Sequence, residues 1–368
     1  MKVRCDRNEL LERLQSVAAV VSSAPTTKPI LQCALLSADD RGFEVKVTDL
    51  DNSTRLVVVR HEIEQPGRVA LPAARLVSLL RELPGGGVTF ETGSDPRDVS
   101  VRAESYQFRL LGDDPEEFPE IRQFAAENAL VLSREKLAEM LRRVGVASAR
   151  DASRYQLAGI FVEIDGEELR MTATDGKRLT HDSMRIRNSN EMKASAIIAN
   201  RAVDSLCRIA GHGSDDVRFA ILGTEVQVAF EHGEFMAKLI EGTFPEYRSV
   251  IPKDVKTRVK TRRVDFLQAA KSASLVTDKE TATILFRFQS GEICLESKAS
   301  DIGESRITIP AEVQGDDIEI RFNPVYFIDA LRAVNDEEVR LELYGPGRPG
   351  AVRGGQNYRH FLMPLVVG

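Results

Sequence analysis

The feature that most constrains the fold is a long internal repeat. Asp49, Asp175 and Asp301 lie 126 residues apart (49 to 175, 175 to 301), and each follows a threonine or serine. This interval far exceeds the period of roughly 20 to 50 residues typical of solenoid repeats, so each copy can bury its own core. The 368 residues are therefore predicted to form three domains, at residues 1–125, 126–252 and 253–368.

Other landmarks recur at nearly the same interval. Each copy opens with a short apolar strand and an amphipathic helix, in which Leu10, Leu137 and Phe266 occupy matching positions. A second strand and helix follow later in each copy, which predicts six helices in all. Alternating segments such as residues 43–47 and 226–230 lie between them and indicate antiparallel strands. The predicted fold class is α+β, with two helices covering one face of the sheets in each domain.

Composition narrows the possible functions. No segment approaches the roughly 18 apolar residues of a membrane span, and the N-terminus lacks the apolar run of a signal peptide, so a cytosolic protein is expected. Four cysteines are scattered without CxxC spacing, which argues against a zinc site or a disulfide framework. We expect them to be small core or strand residues, and we expect no cofactor.

Charge is unevenly distributed along the chain. The net charge of −6 and pI near 5.6 argue against nucleic-acid binding, but residues 134–150 and 256–263 are rich in basic side chains. Such clusters on an acidic protein suit a surface that attracts phosphates locally. The alternative is that these side chains solvate exposed helix faces. The basic residues concerned are Arg134, Lys136, Arg142, Arg143, Arg150, Lys256, Arg258, Lys260, Arg262 and Arg263.

Two other function classes are compatible with parts of the sequence. The three repeated aspartates could be carboxylates of a metal-dependent nuclease, but they occupy equivalent places in separate predicted domains, and a two-metal site needs converging acids. We expect each of them to fix a turn by binding local backbone. The five histidines show no ligand spacing, and there is no glycine-rich phosphate loop. The second alternative is a repeat scaffold that binds protein but not DNA.

Several segments together closely resemble the bacterial sliding clamp, the β subunit of DNA polymerase III. They are residues 173–179, residues 238–247, the opening Met1-Lys2-Val3 with Leu10-Leu11, and residues 361–365, and the resemblance covers the whole chain. It implies a clamp fold in which two chains close head to tail around duplex DNA, with twelve helices lining the hole. It also implies a non-catalytic processivity factor that tethers the polymerase, with any ATP use belonging to the partner that opens the ring.

The resemblance further implies three sets of functional residues. An apolar pocket between the second and third domains would take short peptides from polymerases, repair proteins and the clamp loader, and is expected to comprise Leu157, Thr174, Gly176, Arg178, Leu179, Pro245, Val250, Pro349, Phe361, Leu362, Met363, Pro364 and Leu365. Contacts with double-stranded DNA are expected from Lys28, Arg150, Arg154, Tyr155, Gln156 and Arg201. The homodimer interface is expected at Phe108, Leu110, Leu275 and Val276, each of which could also be an ordinary core residue.

Three departures from the family pattern bear on these expectations. Ala24 stands where an arginine is common in the first-domain loop, and Lys28 is the candidate to replace it. Ser249 stands where a basic residue is common beside the pocket. Residues 366–368 extend beyond the usual basic end of the chain, so the peptide preference is expected to differ from that of other members.

Overall fold

The computed structural model describes residues 1–21, 27–125, 127, 129–188, 191–211, 215–277 and 282–365, and for residues 152–154 the backbone alone. Ala24 and residues 366–368 therefore lie outside the described residues. The chain divides into two compact units. The first comprises Met1–Ala138, Ile186–Met192 and Ile198–Ile240, and the second comprises Glu139–Arg185, Lys193–Ile197 and Glu241–Gly368. Each unit combines one terminal third of the chain with part of the central third, and the three domain boundaries stay a prediction.

The elements follow the predicted order of strands and helices. The first third contains β1 (Lys2–Asp6), α1 (Arg7–Val17), β2 (Cys33–Asp39), β3 (Gly42–Thr48), β4 (Asn52–Val58), β5 (His61–Gln65), β6 (Gly67–Pro72), α2 (Ala73–Glu82), β7 (Gly87–Thr92), β8 (Asp98–Ala103) and β9 (Tyr106–Leu111). The central third contains β10 (Leu130–Ser133), α3 (Arg134–Gly145), β11 (Gly159–Asp165), β12 (Glu168–Thr174), β13 (Arg178–Arg185), β14 (Ala194–Ala199), α4 (Asn200–Ala210), β15 (Asp216–Leu222), β16 (Glu225–Phe230) and β17 (Gly233–Ile240).

The last third contains β18 (Thr257–Arg262), α5 (Arg263–Ser274), β19 (Ile284–Gln289), β20 (Glu292–Ala299), β21 (Gly303–Pro310), β22 (Glu312–Gly315), β23 (Ile318–Phe322), α6 (Pro324–Ala333), β24 (Glu338–Leu343), β25 (Gly350–Gly354) and β26 (Tyr358–Leu362). Short 3-10 helices lie at Pro29–Gln32, Pro115–Glu117, Ala152–Leu157 and Tyr247–Val250. The six predicted α-helices are confirmed in the described part of the chain. None of its helices is long and apolar enough to cross a membrane.

Helix starts follow from local sequence. The Asp6 carboxylate accepts a hydrogen bond from the Glu9 N–H at 2.8 Å and caps α1. Asn323 caps α6 through the Val325 N–H, and Pro324 follows as the first helical residue, where a missing N–H costs nothing. These capping residues fix where the strand before each helix ends.

The first unit contains two antiparallel sheet systems. One sheet has the order β5-β1-β7-β8-β9, so β9 lies at its edge. The other pairings run β6-β2-β3-β4-β17-β16-β15-β10. In this run β4 of the first third pairs with β17 of the central third, with Leu56 opposite Gly233. The sheet therefore continues from one third of the sequence into the next.

The second unit repeats this plan. Its long run of pairings is β22-β18-β24-β25-β26-β13-β12-β11, in which β13 of the central third pairs with β26 of the last third. A separate sheet has the order β21-β20-β19-β23, with β21 at its edge. Packed phenylalanines, including Phe266 of α5, Phe286 of β19 and Phe327 of α6, form the core against which both sheets of the last third are buried.

Three of the four cysteines lie where the sequence predicts, in the core or in strands. Cys5, Cys33 and Cys294 are buried in strands, and Cys207 is partly buried on α4. All four are free thiols. Burial raises the pKa of the Cys5 and Cys33 thiols, which keeps both protonated and unreactive at neutral pH.

The repeated aspartate marks the same turn in two of the three copies. The Asp49 carboxylate accepts hydrogen bonds from the N–H groups of the second and third residues after it, at 3.0 and 2.6 Å. Asp175 accepts the equivalent bonds at 2.9 and 3.0 Å. In the third copy the expectation is wrong. The turn after Ala299 is closed by a backbone bond from Ile302 N–H, and within the described chain Asp301 accepts no hydrogen bond.

Candidate partner-binding site

The second unit contains an apolar cavity of about 490 Å³. Ten of the thirteen residues predicted for the peptide pocket line it, namely Leu157, Thr174, Gly176, Arg178, Leu179, Pro245, Val250, Pro349, Phe361 and Met363. The lining also includes Glu246, Tyr247 and Ile251. The structure thus brings together residues from segments as far apart in sequence as Leu157 and Met363, and most of their side chains are apolar.

Strand pairing positions the floor of this pocket. Leu179 of β13 lies directly opposite Phe361 of β26, so both side chains project from the same face of the sheet. Both are largely buried. At the rim, Val250 and Met363 are 60% and 49% exposed. Buried apolar groups below and exposed apolar groups above are what a groove for a hydrophobic side chain requires.

Three residues of the predicted set lie outside the cavity lining. Leu362 follows Phe361 on β26 and so faces the opposite side of the sheet, where it packs into the core. Its assignment to the pocket is wrong. Pro364 and Leu365 lie beyond the strand, and the Leu365 N–H donates to the Arg321 carbonyl at 2.8 Å. The backbone at Leu365 is therefore fixed against the end of β23, away from the lining residues.

A hydrogen-bonded turn supplies one wall. Thr174 Oγ1 donates to the Arg178 carbonyl at 2.6 Å and accepts from the Gly176 N–H at 3.0 Å. Gly176 adopts a φ of +86°, which an L-residue with a side chain rarely takes. Because glycine has no side chain, a ligand can approach the backbone closely at this point.

Arg178 ties the pocket to helix α6. Its Nε donates to Asp175 at 3.0 Å, its Nη1 donates to Asp329 of α6 at 2.9 Å, and its guanidinium lies 4.5 Å from the ring centroid of Tyr326. The side chain is only 11% exposed. Arg178 is therefore a structural support of the pocket wall, with both charged partners already satisfied.

Tyr247 is a site residue that the sequence prediction missed. Its hydroxyl donates to Glu163 at 2.7 Å, and its ring lies 5.6 Å from that of His181. Burial and this hydrogen bond raise the pKa of Tyr247 to about 12. The signal was present, because Tyr247 belongs to the segment 238–247 that carries the family resemblance.

The predicted DNA contacts are distributed over both units. Arg150, Tyr155 and Gln156 are exposed in the second unit, Tyr155 and Gln156 on the 3-10 helix Ala152–Leu157. The side chain of Arg154 lies outside the described residues. In the first unit Lys28 is exposed, and Arg201 is half exposed with its Nη1 3.0 Å from Asp49 Oδ2.

Two of the basic side chains assigned to a phosphate-attracting helix face are structural instead. Arg134 is 8% exposed, donates to the Ile209 and Ala210 carbonyls at the end of α4, and pairs with Asp215. Arg143 pairs with Glu139 and lies over the Tyr358 ring. The density of charges along the sequence did not reveal these roles, because Arg134 binds acceptors about 75 residues and more away and Arg143 contacts Asp182 and Tyr358 from distant segments. Lys136 and Arg142 remain exposed.

The predicted interface residues are partly exposed apolar groups. Phe108 is 38% exposed on the edge strand β9, and Leu275 is 76% exposed directly after α5. Leu110 and Val276 are half-buried. Phe108 and Leu275 are not core residues, so the alternative that they are ordinary core is wrong for these two. Single exposed apolar side chains are common on protein surfaces, so the place of these residues in a dimer interface stays a prediction.

Among the described residues, no group of three or more histidine, cysteine, aspartate or glutamate side chains is placed to hold a metal ion. Asp49 and Asp175 use their carboxylates for turn hydrogen bonds and for pairing with Arg201 and Arg178. This is the structural role expected from their position in the repeat.

Comparison with known proteins identifies the family. Sequence models of the DNA polymerase III β subunit match residues 1–122 for its N-terminal domain, 131–246 for its central domain and 248–365 for its C-terminal domain. The β sliding clamp of Chlamydia muridarum is 29% identical over 367 residues, covering 99% of both chains. That of Bacillus subtilis is 28% identical over 363 residues, covering 96% of both.

Solved structures agree with this result. The crystal structure of the DNA polymerase sliding clamp from Bacillus subtilis superposes with a TM-score of 0.92 at 26% identity, covering all of both chains. The DNA polymerase III β subunit of Thermotoga maritima shares the fold, with a TM-score of 0.91 at 24% identity over all of both chains. The predicted fold of three clamp domains is confirmed. The chain belongs to the β-subunit family of bacterial DNA polymerase III, the β sliding clamps.

Proposed function

We propose that two copies of this chain close into a ring that slides on duplex DNA and holds partner proteins through the apolar pocket. The family assignment makes the chain a DNA replication processivity factor without catalytic activity of its own. The observation that carries the finer proposal is the pocket built where β13 pairs with β26. A chain that only encircled DNA would need no such cavity.

Ring closure is proposed to join β9 of one copy to β21 of the other. Both strands lie at a sheet edge, and edge strands offer unpaired backbone groups that a second copy can satisfy. Phe108 and Leu110 of β9 would pack against Leu275 and Val276 of the partner copy. This contact joins two different patches, so it closes only because the geometry of two half-rings permits it.

Sliding needs contacts that hold DNA without reading its sequence. Lysine and arginine contacts with phosphates position a protein on the duplex but carry no sequence information. We assign this role to Lys28, Arg150, Arg154, Tyr155, Gln156 and Arg201. Because such binding releases counterions, it is expected to weaken steeply as salt rises, while a closed ring stays topologically trapped.

Partner capture is proposed to occur through short peptide segments of the replicative polymerase, the clamp loader and repair proteins. An apolar anchor of the peptide would lie between Leu179, Phe361 and Val250, and Met363 would adapt to its shape. Gly176 leaves room for the peptide backbone. The ring and its partners are proposed to act in the cytoplasm.

Topological retention tests the ring. The protein, of 40.8 kDa per chain, should run at twice that mass in size exclusion with light scattering. After loading by a bacterial clamp loader and ATP onto a nicked circular plasmid, it should co-elute with the DNA. Cutting the plasmid once should release it, because the ring can then slide off the ends.

The other function classes give different results in the same experiment. A scaffold that binds protein alone would never be retained on the plasmid. Retention that survives linearisation would show direct binding in place of encirclement, and cleavage of the plasmid on adding Mg²⁺ would establish a nuclease. A protein that stays monomeric and is never retained would contradict the ring proposal.

A further inference from the structure

A row of basic residues crosses the sheet of the second unit beside the pocket. Lys260 on β18 lies opposite Arg340 on β24, Arg340 opposite Arg353 on β25, and Arg353 opposite Arg359 on β26. We call these four residues the cationic row. With strands spaced about 4.8 Å apart, it is about 14 Å long. Like charges directly opposite one another destabilise a sheet, so their alignment on four adjacent strands calls for a functional explanation.

The cationic row lies on the same face of the sheet as the pocket floor. Arg359 precedes Phe361 by two residues on β26, and strand side chains two positions apart point to the same side. The matching pair on β13 is His181 opposite Arg359 and Leu179 opposite Phe361. Arg359 is therefore about 7 Å along the strand from the pocket floor.

The members of the row differ in how their charges are compensated. Lys260 pairs with Glu338 at 2.8 Å, and Arg353 pairs with Glu342 at 2.7 Å. Arg340 donates to the Gly355 carbonyl at 3.4 Å. Arg359 is half-buried and has no hydrogen bond or ion pair to any residue that the structure describes. Arg359 is thus the member of the row without a direct partner in the described chain, and it is the nearest to the pocket.

The groups around Arg359 leave this charge available. Glu342 is bound by Arg353 and by the Tyr344 hydroxyl at 3.0 Å, and it also lies within electrostatic reach of Arg359. His181 is neutral at physiological pH, because burial and the nearby Arg359 lower its pKa to about 4. On the other side of the pocket, Arg248 is bound to Glu163 at 2.6 Å and Ser249 is uncharged. Arg359 is therefore a positive charge beside the pocket without a direct partner in the described chain, as are the exposed Lys177 and Arg348, which adjoin the lining residues Gly176 and Pro349.

We propose that Arg359, supported by Arg353 and Arg340, is an anion subsite that extends the pocket and selects peptides carrying an aspartate or glutamate close to the apolar anchor. The inference rests on the proposed peptide-binding function of the pocket. An extended peptide advances about 3.3 Å per residue, so an acidic residue two positions from the anchor reaches Arg359. A guanidinium and a carboxylate form the strongest hydrogen-bonded pair available to such a peptide.

Binding of two fluorescein-labelled peptides to the full-length protein tests this subsite. They are Ser-Glu-Gly-Leu-Phe-Gly-Glu-Ser and its neutral counterpart Ser-Gln-Gly-Leu-Phe-Gly-Gln-Ser, measured by fluorescence anisotropy. At low salt the acidic peptide should bind about fivefold more tightly. That preference should fall below about twofold at roughly 0.5 M NaCl, where charges are screened.

Substitutions of Arg359 would show whether the preference for the acidic peptide depends on this residue. Arg359→Gln should reduce binding of the acidic peptide to the level of the neutral one and leave the neutral peptide unchanged, whereas Arg359→Lys should keep most of the preference. Arg185→Gln is the matched control, since Arg185 is a 90% exposed cation at the far end of β13. It should alter neither affinity. Far-UV circular dichroism melts would verify that each variant is folded.

The outcomes separate the two proposals. If neither peptide binds, the proposed peptide-binding function fails. If both bind equally, or if Arg359→Gln weakens both alike, the pocket stands and the anion subsite is refuted. A preference for the acidic peptide that persists in Arg359→Gln also refutes it. Loss of binding to a single-stranded oligonucleotide in Arg359→Gln, with both peptides unaffected, would show that the row contacts nucleic acid instead.

Discussion

Leu50 and Gly176 occupy the same position in two copies of one hydrogen-bonded turn. Their N–H groups each donate to the hydroxyl of the threonine two residues earlier at 3.0 Å, and their φ angles are +76° and +86°. Glycine adopts this conformation readily, whereas a leucine there is strained. Both copies of the repeat therefore keep the same turn. In the copy that lines the pocket, the position with a positive φ angle is occupied by glycine, which adopts it without strain.

This relationship predicts opposite effects of two substitutions. Gly176→Ala should destabilise the protein by about 1 kcal/mol, because alanine must adopt a left-handed φ. Leu50→Gly should be neutral or should stabilise by up to about 1 kcal/mol, since relief of strain offsets the added chain entropy. The protein has no tryptophan, so urea unfolding would be followed by circular dichroism. An equal loss of unfolding free energy in Gly176→Ala and Leu50→Gly would contradict the interpretation that the two residues occupy the same position of one turn.

Replacing Arg178 should be costly. Arg178→Ala removes the cation that binds the partly buried Asp175 and Asp329 most closely, which predicts a loss of unfolding free energy of about 3 kcal/mol. Arg332→Ala is the control. Arg332 lies 4.0 Å from the same Asp329 but is 59% exposed, so its loss should cost under about 0.5 kcal/mol. The urea concentration at the midpoint of unfolding would measure the stability loss in each variant, provided that the dependence of the unfolding free energy on urea is unchanged. Similar losses in the two variants would show that Arg178 does not support the pocket wall.

Acid should destabilise the second unit. Burial lowers the pKa of His181 to about 4 and that of the fully buried His360 to about 3, from an ordinary 6.5. The unfolded chain then binds more protons, so the stability that both groups contribute is complete above pH 6.5 and is lost as pH falls. Asp182 acts oppositely, because burial raises its pKa to about 6 and protonation below that value favours the folded state.

Together, His181, His360 and Asp182 are expected to lower the free energy of unfolding by on the order of 3 kcal/mol between pH 6.5 and pH 4. Thermal unfolding midpoints across this range would measure it. His360→Leu should flatten the dependence, and Asp182→Asn should steepen it by removing the opposing contribution. His360 suits this test because its Nε2 has no hydrogen-bond partner in the described chain. An unchanged profile in His360→Leu would show that other groups control acid stability.

Sequence periodicity identified the helices and strands, but it did not always show which face of a strand is buried. The turn at Asp49 and Asp175 was predictable because threonine, aspartate and spacing specify it locally. The assignment of Leu362 was wrong because residues 361–365 form an unbroken apolar run, which hides the alternation that separates Phe361 in the pocket from Leu362 in the core. Which face is buried became evident only from the pairing of β26 with β13.

Tertiary partners explain the remaining differences. The carbonyls at the end of α4 and the carboxylate of Asp215 lie about 75 residues and more beyond Arg134 in sequence. The density of charges near Arg134 in the sequence could not predict that its side chain is buried against these acceptors. The same is true of Arg178 and Asp329, 151 residues apart. Long-range pairing of charged groups leaves no periodic trace in a single sequence.

Charge placed on Leu275 should separate the two copies of the proposed ring. Leu275 is 76% exposed in the single chain, so Leu275→Asp should fold normally. In the dimer an aspartate there would be buried without a partner, which is strongly unfavourable. We expect the dissociation constant of the dimer to rise at least about 100-fold, equivalent to about 2.7 kcal/mol. Phe108→Asp on the complementary surface should act in the same direction.

A matched exposed leucine separates interface effects from the general effect of added charge. Leu222 is 41% exposed at the end of β15, so Leu222→Asp introduces the same group outside the proposed interface. Sedimentation velocity at several concentrations would give the three association constants. A dimer that persists in Leu275→Asp and Phe108→Asp, or that dissociates equally in Leu222→Asp, would place the interface elsewhere. Variants that dimerise less should also be retained less on the nicked circular plasmid, because a half-ring that is not closed cannot be trapped on DNA.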